Sequence, residues 1–210
     1  MNLKNNSLLL TLTYLISMSI PNVLLSFFKN NNIYYSAVTL CSLIGMLAMI
    51  FFNTKYSFNN IVMPKKTHSL AVIAWGVTGM VTALILQRIS FFIETSFFHQ
   101  SMVSQNTAET LTVLNHYPYY IFFVVLAAPI MEELVFRKVL FGNLGALIGP
   151  VGSALISSTL FSIAHQDGHF LTYVIMGFIF CFIYAKTGKI ISSMLSHVLL
   201  NTIIVVLSLI

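Results

Sequence analysis

Charged residues are scarce in this 210-residue chain, and acidic residues are the scarcest. Asp and Glu together number five against ten Lys and Arg, and charged residues make up only 7% of the sequence. The basic residues stand singly or in pairs, without the clusters that follow a phosphate backbone, which argues against binding to nucleic acid. Only two cysteines are present, Cys41 and Cys181, both in apolar runs. We therefore expect small buried thiols there, and neither a disulfide nor a metal-binding pair.

Apolar residues dominate what remains. The chain is 58% hydrophobic, with 18 Phe, 10 Met and 9 Tyr, and its mean hydropathy is +0.91. Several runs approach or exceed the roughly 20 apolar residues that cross a bilayer, so the sequence predicts an all-α polytopic transmembrane helix bundle with about seven spans. The predicted spans cover about residues 7–28, 35–52, 69–86, 118–141, 150–165, 170–185 and 190–209. The first run ends without a small-residue cleavage site, which favours a retained helix over a signal peptide.

Polar segments separate these runs. Glu94 and Glu109 fall within residues 94–116, the most polar stretch, and residues 142–152 carry four Gly and one Pro and predict a turn. Asp167 and His169 follow the predicted fifth helix, and we expect them to be loop residues at the membrane surface.

The basic residues also predict an orientation. With a cytoplasmic N-terminus, the outer segments hold only Lys29 and Arg88. The inner segments then hold the other eight basic residues, which are Lys4, Lys55, Lys65, Lys66, Arg137, Lys138, Lys186 and Lys189. This bias favours a cytoplasmic N-terminus and an outer C-terminus. The abundance of Asn, Ile, Lys and Phe is typical of an AT-rich bacterial genome, so we expect an integral protein of the bacterial cell membrane.

Two adjacent glutamates, Glu132 and Glu133, follow an uncharged run over residues 119–130. On a helix, Glu133 lies four residues before Arg137, the favourable spacing for an ion pair, whereas Glu132 points about 100° away. One glutamate thus has a structural partner and the other is free. Pro129 removes a backbone hydrogen bond beside Glu132 and predicts a kink, which at membrane depth often opens a hydrated cavity. The alternative is a cytoplasmic helix end at which both acids meet water.

Two more polar patterns lie on the following helices. Phe161 and His165 are four residues apart at the end of one apolar helix, and His197 and Asn201 share one face of the last helix. Taken alone, His165 could be a satisfied interfacial residue. The pair on the last helix could equally supply interhelical hydrogen bonds.

In combination, these residues form the parts of a water-activating hydrolase. Ionisable side chains at membrane depth are costly and usually mark a functional site. Glu132 can act as general base, with His165 helping to hold and polarise the water. His197 and Asn201 can donate hydrogen bonds to a developing oxyanion. The sequence has no GxSxG or HExxH motif, and neither cysteine belongs to this set.

At these residues the sequence resembles the CAAX-protease and bacteriocin-processing intramembrane endopeptidases, the CPBP or Abi family. The family pattern is EExxxR, then FxxxH, then HxxxN on successive transmembrane helices. EELVFR (132–137), FSIAH (161–165) and HVLLN (197–201) match all three parts in order. The resemblance covers about residues 118–210, which we expect to form a catalytic core in the last four helices. Residues 1–117, the first helices and the polar segment, match no family pattern.

The resemblance implies a role for each motif residue. Glu132 would be the general base and His165 its partner on the water, while His197 and Asn201 would stabilise the oxyanion. The family's mechanism is metal-free, so no cofactor is expected. A zinc ion held by Glu132, His165 and His197 is the alternative, since two His and one Glu suit that metal.

The same resemblance gives Glu133 and Arg137 a supporting role, in agreement with their ion-pair spacing. It implies a membrane-associated peptide or protein as substrate, which in relatives can be lipidated, and the lipid bilayer as surroundings. Relatives act on prenylated C-terminal tails and on bacteriocin-type or signalling peptides, and some confer self-immunity. Neither the substrate nor the oligomeric state follows from the sequence.

Two other classes of function stay open. A non-catalytic immunity or scaffold protein could keep the motifs and act by binding, but it would tolerate the near-isosteric change Glu132→Gln, which a protease would not. A proton-coupled transporter using Glu132 is disfavoured because the hydropathy pattern shows no repeat between the two halves of the chain.

One geometric expectation conflicts with a shared site. If Arg137 and Lys138 mark the cytoplasmic surface, Glu132 lies about 8 Å deep by helix rise, whereas His165 lies about 22 Å deep on an upright helix. The two side chains then meet only if the helices tilt strongly or the predicted boundaries are wrong.

Overall fold

The computed structural model describes residues 2–56, 67–101 and 104–209, and within these ranges the chain is helical with no strand. The elements are α1 (Asn2–Phe28), α2 (Asn31–Lys55), α3 (Ser69–Phe97), α4 (Gln105–His116), a 3₁₀ turn (Pro118–Tyr120), a first π-helical segment (Phe123–Ala127), α5 (Ala128–Glu132), a second π-helical segment (Glu133–Asn143), α6 (Leu144–His165), α7 (Phe170–Thr187) and α8 (Ile190–Leu209). The all-α prediction is confirmed.

Six helical stretches in the described residues are long and apolar enough to cross a bilayer. One of them, Pro118–His165, has 48 residues, about twice what one crossing needs. It reverses at Gly149, whose φ of 81° and ψ of 167° suit only glycine. The two legs pack together, and the Ser157 hydroxyl donates a 2.7 Å hydrogen bond to the Phe136 carbonyl. Counted as two legs, this stretch gives the seven predicted spans.

The turn predicted over residues 142–152 is therefore much shorter in the structure. Helical structure continues through residues 142–148, and the reversal is confined to Gly149, with Pro150 next to it. Pro150 suits this place because the first turn of a helix does not need its missing N–H.

This boundary removes the conflict over depth. Glu132 lies 17 residues before Gly149 and His165 lies 16 residues after it. The two positions are similar numbers of residues from the reversal, so the two antiparallel legs bring both side chains to one cavity. The assumption that Arg137 marks the membrane surface was wrong, since its side chain is fully buried.

Short polar contacts join the elements at one end of the bundle. The Asn143 amide donates to Asn6 Oδ1 at 2.8 Å, and the Thr67 hydroxyl donates to the Thr187 carbonyl at 2.8 Å. Of the basic residues assigned to the inner side, Lys4, Lys55, Lys186 and Lys189 belong to this end. Arg137 and Lys138 are buried instead, and Lys65 and Lys66 lie outside the described residues.

The polar stretch of residues 94–116 is only partly a connection. α3 continues to Phe97, and Glu94 near its end is buried rather than solvated. α4 is short and largely exposed, with Leu114 as its buried residue. Both cysteines are free thiols. Cys181 is buried, as predicted, whereas Cys41 is partly exposed, so the prediction of a buried thiol was wrong there.

Candidate active site

The first π-helical segment and Pro129 shape the backbone beside Glu132. In this segment the Ala128 N–H donates to the Phe123 carbonyl, five residues back. In the same register residue 129 would donate to Val124, but proline has no N–H. The Asn201 side-chain amide donates to the Val124 carbonyl at 3.1 Å instead. Asn201, predicted as an oxyanion donor, thus uses one of its two N–H groups to satisfy a backbone carbonyl.

Behind the site, Glu133 and Arg137 form the predicted ion pair. Both side chains are 0% exposed, and Arg137 Nη1 lies 3.3 Å from Glu133 Oε1. The guanidinium carbon also lies 4.2 Å from the centre of the Phe161 ring and 5.0 Å from that of Phe180. Aromatic faces attract cations, so the two rings stabilise a charge that has lost its contact with solvent.

His197 connects this buried pair to Glu132. Its Nδ1 lies 3.1 Å from Glu133 Oε1, and its Nε2 lies 3.8 Å from Glu132 Oε2. The ring stacks on Phe180, with centroids 4.8 Å apart and planes 23° apart. Because a carboxylate only accepts hydrogen bonds, Nδ1 carries a proton and donates to Glu133.

His165 is oriented in a similar way by other partners. Its Nδ1 lies 2.8 Å from the Phe161 carbonyl, so this nitrogen is the protonated one. Its ring stacks on Tyr173, with centroids 4.0 Å apart and planes 26° apart. Nε2 is therefore the ring nitrogen left for a substrate or water.

A cavity of about 490 Å³ brings the predicted residues together. Glu132, His165, His197 and Asn201 all line it, and the Glu132 side chain is 19% exposed. Glu133 is fully buried behind His197 and does not line the cavity. The two glutamates thus differ as predicted: Glu133 is buried and paired with Arg137, whereas Glu132 is outside that ion pair and accessible from the cavity.

The donor set of the zinc alternative is only partly assembled. Glu132, His165 and His197 share the cavity, but no three His, Cys, Asp or Glu side chains within residues 2–56, 67–101 and 104–209 are placed to hold one metal ion. A metal would require these side chains to move.

Two predicted surface residues turn out to belong to the same cavity. Asp167 is 9% exposed and His169 is 2% exposed, and both line the wall. They lie in the loop between α6 and α7, as expected, but the prediction that they lie at the surface was wrong, since both are buried. Asp167 accepts the N–H of His169 just before α7, which is an ordinary turn signal that the sequence carries.

Glu94 was also missed. Its carboxylate accepts the Leu171 N–H and, at 2.6 Å, the Thr172 hydroxyl, so it caps the start of α7 from another helix. His169 Nδ1 lies 3.4 Å from the same carboxylate. No sequence signal could have found these contacts, because the partners are more than 70 residues apart.

Comparison with known proteins agrees with this geometry. Residues 114–203 match the family described as type II CAAX prenyl endopeptidase Rce1-like. This segment of the chain therefore resembles the Rce1-like family. The matched segment contains all three motifs, from the first π-helical segment to Asn201. No solved structure matches the chain.

Several bacterial proteins resemble this chain. YdiL of Bacillus subtilis (strain 168), named as a candidate membrane peptidase, is 38% identical over 138 residues, 65% of this chain and 57% of YdiL. The membrane-embedded CAAX protease MroQ of Staphylococcus aureus (strain USA300) is 28% identical over 221 residues, 97% of this chain and 89% of MroQ. The chain thus spans less than two thirds of YdiL but most of MroQ. Both relatives are thus named as membrane peptidases, and the name of MroQ specifies the CAAX type.

Proposed function

We propose that the chain is an intramembrane endopeptidase that hydrolyses a peptide bond with water activated by Glu132. The main support for this proposal is a series of side-chain contacts that runs from Arg137 through Glu133 and His197 to Glu132. Its first three members are buried, and its last member opens into a cavity inside an apolar bundle. An ionisable carboxylate inside an apolar bundle is energetically costly, so such a residue usually marks a functional site.

The chemistry follows from the positions of the polar atoms. Glu132 Oε2 and His197 Nε2 are 3.8 Å apart, so one water oxygen can lie about 2.8 Å from both. Glu132 takes a proton from this water, whose oxygen attacks the carbonyl carbon of the peptide bond. The tetrahedral intermediate collapses as the C–N bond breaks and Glu132 returns the proton to the leaving amine.

The remaining side chains would orient the water and His197 and stabilise the developing oxyanion. His165 faces the same cavity with Nε2 available to contact the water. His197 Nε2 and the second N–H of Asn201 would contact the carbonyl oxygen as it gains negative charge. Glu133 and Arg137 would hold His197 from behind, which is the supporting role that the resemblance implies.

The surroundings suggest which substrates can reach the site. An apolar bundle with an internal cavity suits a membrane-associated peptide or protein, lipidated or not. We infer a bacterial cell membrane with the N-terminus cytoplasmic, so that Lys4, Lys55, Lys186 and Lys189 lie on the inner side. The cavity lies towards the opposite end of the bundle, where Ser104 and Asp167 line it. Processing of a bacteriocin-type or signalling peptide, or self-immunity to one, fits this arrangement.

The test compares the new N-termini of peptides in membranes that contain the wild type, Glu132→Gln or Glu109→Gln at equal protein levels. Glu109 is an exposed acid on α4 outside the cavity lining and serves as the matched control. Peptide ends produced by the wild type and the control, but absent with Glu132→Gln, are the expected result and identify the substrate. Repeating the cleavage with a zinc chelator decides the metal alternative.

An unchanged set of N-termini would contradict the proposal. If Glu132→Gln leaves the N-termini unchanged and preserves whatever phenotype the wild type confers, the chain acts by binding, as an immunity or scaffold protein would.

A further inference from the structure

A polar cluster outside the three motifs lies next to His165. Asp167, which follows α6, accepts the Tyr173 hydroxyl at 2.8 Å and the Ser104 hydroxyl at 2.9 Å through Oδ2. Its Oδ1 accepts the His169 N–H at 3.2 Å. Both carboxylate oxygens are thus engaged by donors from the starts of α4 and α7, which makes Asp167 an anchor rather than a base.

Tyr173 connects this anchor to the histidine. Its ring lies against the His165 imidazole with centroids 4.0 Å apart, the shortest ring contact among the described residues. The Phe161 ring meets the same imidazole edge-on at 4.5 Å, and the Phe161 carbonyl accepts the Nδ1 proton. The second χ angle of histidine has broad minima, so neighbours must select the ring plane. The hydrogen bond fixes one edge of the imidazole and the Tyr173 ring fixes its face.

We propose that Tyr173 is a positioning residue for His165 and that its hydroxyl is held in place by Asp167. The inference rests on the proposed function, in which His165 Nε2 faces the reacting water. If no neighbour fixed the ring plane of His165, its imidazole would rotate, and Nε2 would point toward the water only part of the time. Because misplacement by about 1 Å can cost roughly 100-fold in rate, the ring contact matters more than its small energy suggests.

The first test reads the imidazole itself and needs no substrate. Histidine-labelled full chain in lipid bilayers is studied by solid-state ¹⁵N NMR, with the His165 signals assigned by their loss in His165→Gln. The wild type should show one narrow signal set with Nδ1 protonated. Tyr173→Phe, which keeps the ring, should preserve it, whereas Tyr173→Leu should shift or split it. An unchanged His165 signal in Tyr173→Leu would overturn the proposal.

The second test measures cleavage of the peptide bond identified by the comparison of N-termini. Tyr173→Leu should lower kcat by about 100-fold and change KM less than about twofold, and Tyr173→Phe should restore kcat to within about tenfold of the wild type. Asp167→Asn should act through the same hydroxyl and add little to Tyr173→Phe.

The control is Tyr184→Leu, since Tyr184 is another tyrosine of α7, more buried than the half-buried Tyr173, and packs against Phe141 in a separate cluster. An equal loss of kcat in Tyr184→Leu and Tyr173→Leu would show general packing damage and refute positioning. If the wild type cleaves nothing, the proposed function fails, while the NMR result still decides whether Tyr173 orients His165.

Discussion

The buried pair of Glu133 and Arg137 offers the sharpest test of how this site is held together. Both side chains have no solvent exposure, and the charges meet at 3.3 Å. Removing one member of such a pair leaves the other charge buried and alone, which costs about 3–5 kcal/mol. We therefore expect Arg137→Met and Glu133→Gln each to lower the free energy of unfolding by about that amount.

Replacing both members should give a different result. The double variant Glu133→Gln/Arg137→Met carries no buried charge at either position and keeps similar side-chain volumes. Its free energy of unfolding should lie within about 1 kcal/mol of the wild-type value, because a buried ion pair contributes little over a neutral pair of the same size. The coupling energy between the two sites would then be at least about 5 kcal/mol.

The measurement is the free energy of unfolding of the full chain in bicelles, obtained for the wild type, both single variants and the double variant. Lys138→Met is the control, because Lys138 is 8% exposed and forms no ion pair within the described residues. This variant should not be destabilised. A stable Arg137→Met variant, or a double variant as unstable as the sum of the single ones, would refute the reasoning. Cleavage should stay low in the double variant, since His197 has lost its anionic partner.

Two further predictions concern helix contacts and use the same measurement of the free energy of unfolding in bicelles. Gly177→Ala should destabilise the protein by about 1–3 kcal/mol, because the new Cβ would lie 2.7 Å from the Ser158 backbone. Gly152→Ala, whose new Cβ would meet no neighbour among the described residues closer than 3.6 Å, should be neutral or slightly stabilising. Asn201→Ala should lower the free energy of unfolding by about 1–3 kcal/mol, because the Val124 carbonyl loses its donor. Adding Pro129→Ala should recover stability, since residue 129 then has an N–H that can donate to this carbonyl. No recovery would mean that the Val124 carbonyl is satisfied in another way.

Sequence spacing predicted the contacts that lie within one helix. The four-residue separation of Glu133 and Arg137 gave the ion pair. Glu132 stays outside that pair, as predicted, and lines the cavity near His197. The motif resemblance predicted which helices share a site, and the cavity indeed contains His165 and His197. The catalytic roles of these residues stay predictions.

Contacts between helices could not be predicted in the same way. In a soluble helix, apolar periodicity reveals the buried face, but a membrane helix is apolar on both its lipid face and its packed face. The hydrogen bond of His197 with Glu133, the rings around Arg137 and the stacking of Tyr173 on His165 therefore left no pattern in the sequence. The depth of Arg137 was misjudged for the same reason, since a basic residue near a predicted helix end looks like a surface marker.

The position of His197 depends on a helix that carries none of the three motifs. α3 packs against both α7 and α8. At the crossing with α8, the Ser196 hydroxyl donates to the Gly76 carbonyl at 2.8 Å, and a Cβ at Gly79 would collide with Ser196. Only glycine lets the two backbones approach this closely. Because Ser196 directly precedes His197, the contacts of Ser196 with Gly76 and Gly79 of α3 fix the position of His197 relative to Glu133. The motifs supply polar side chains of the cavity, and contacts with α3 determine where one of them, His197, lies.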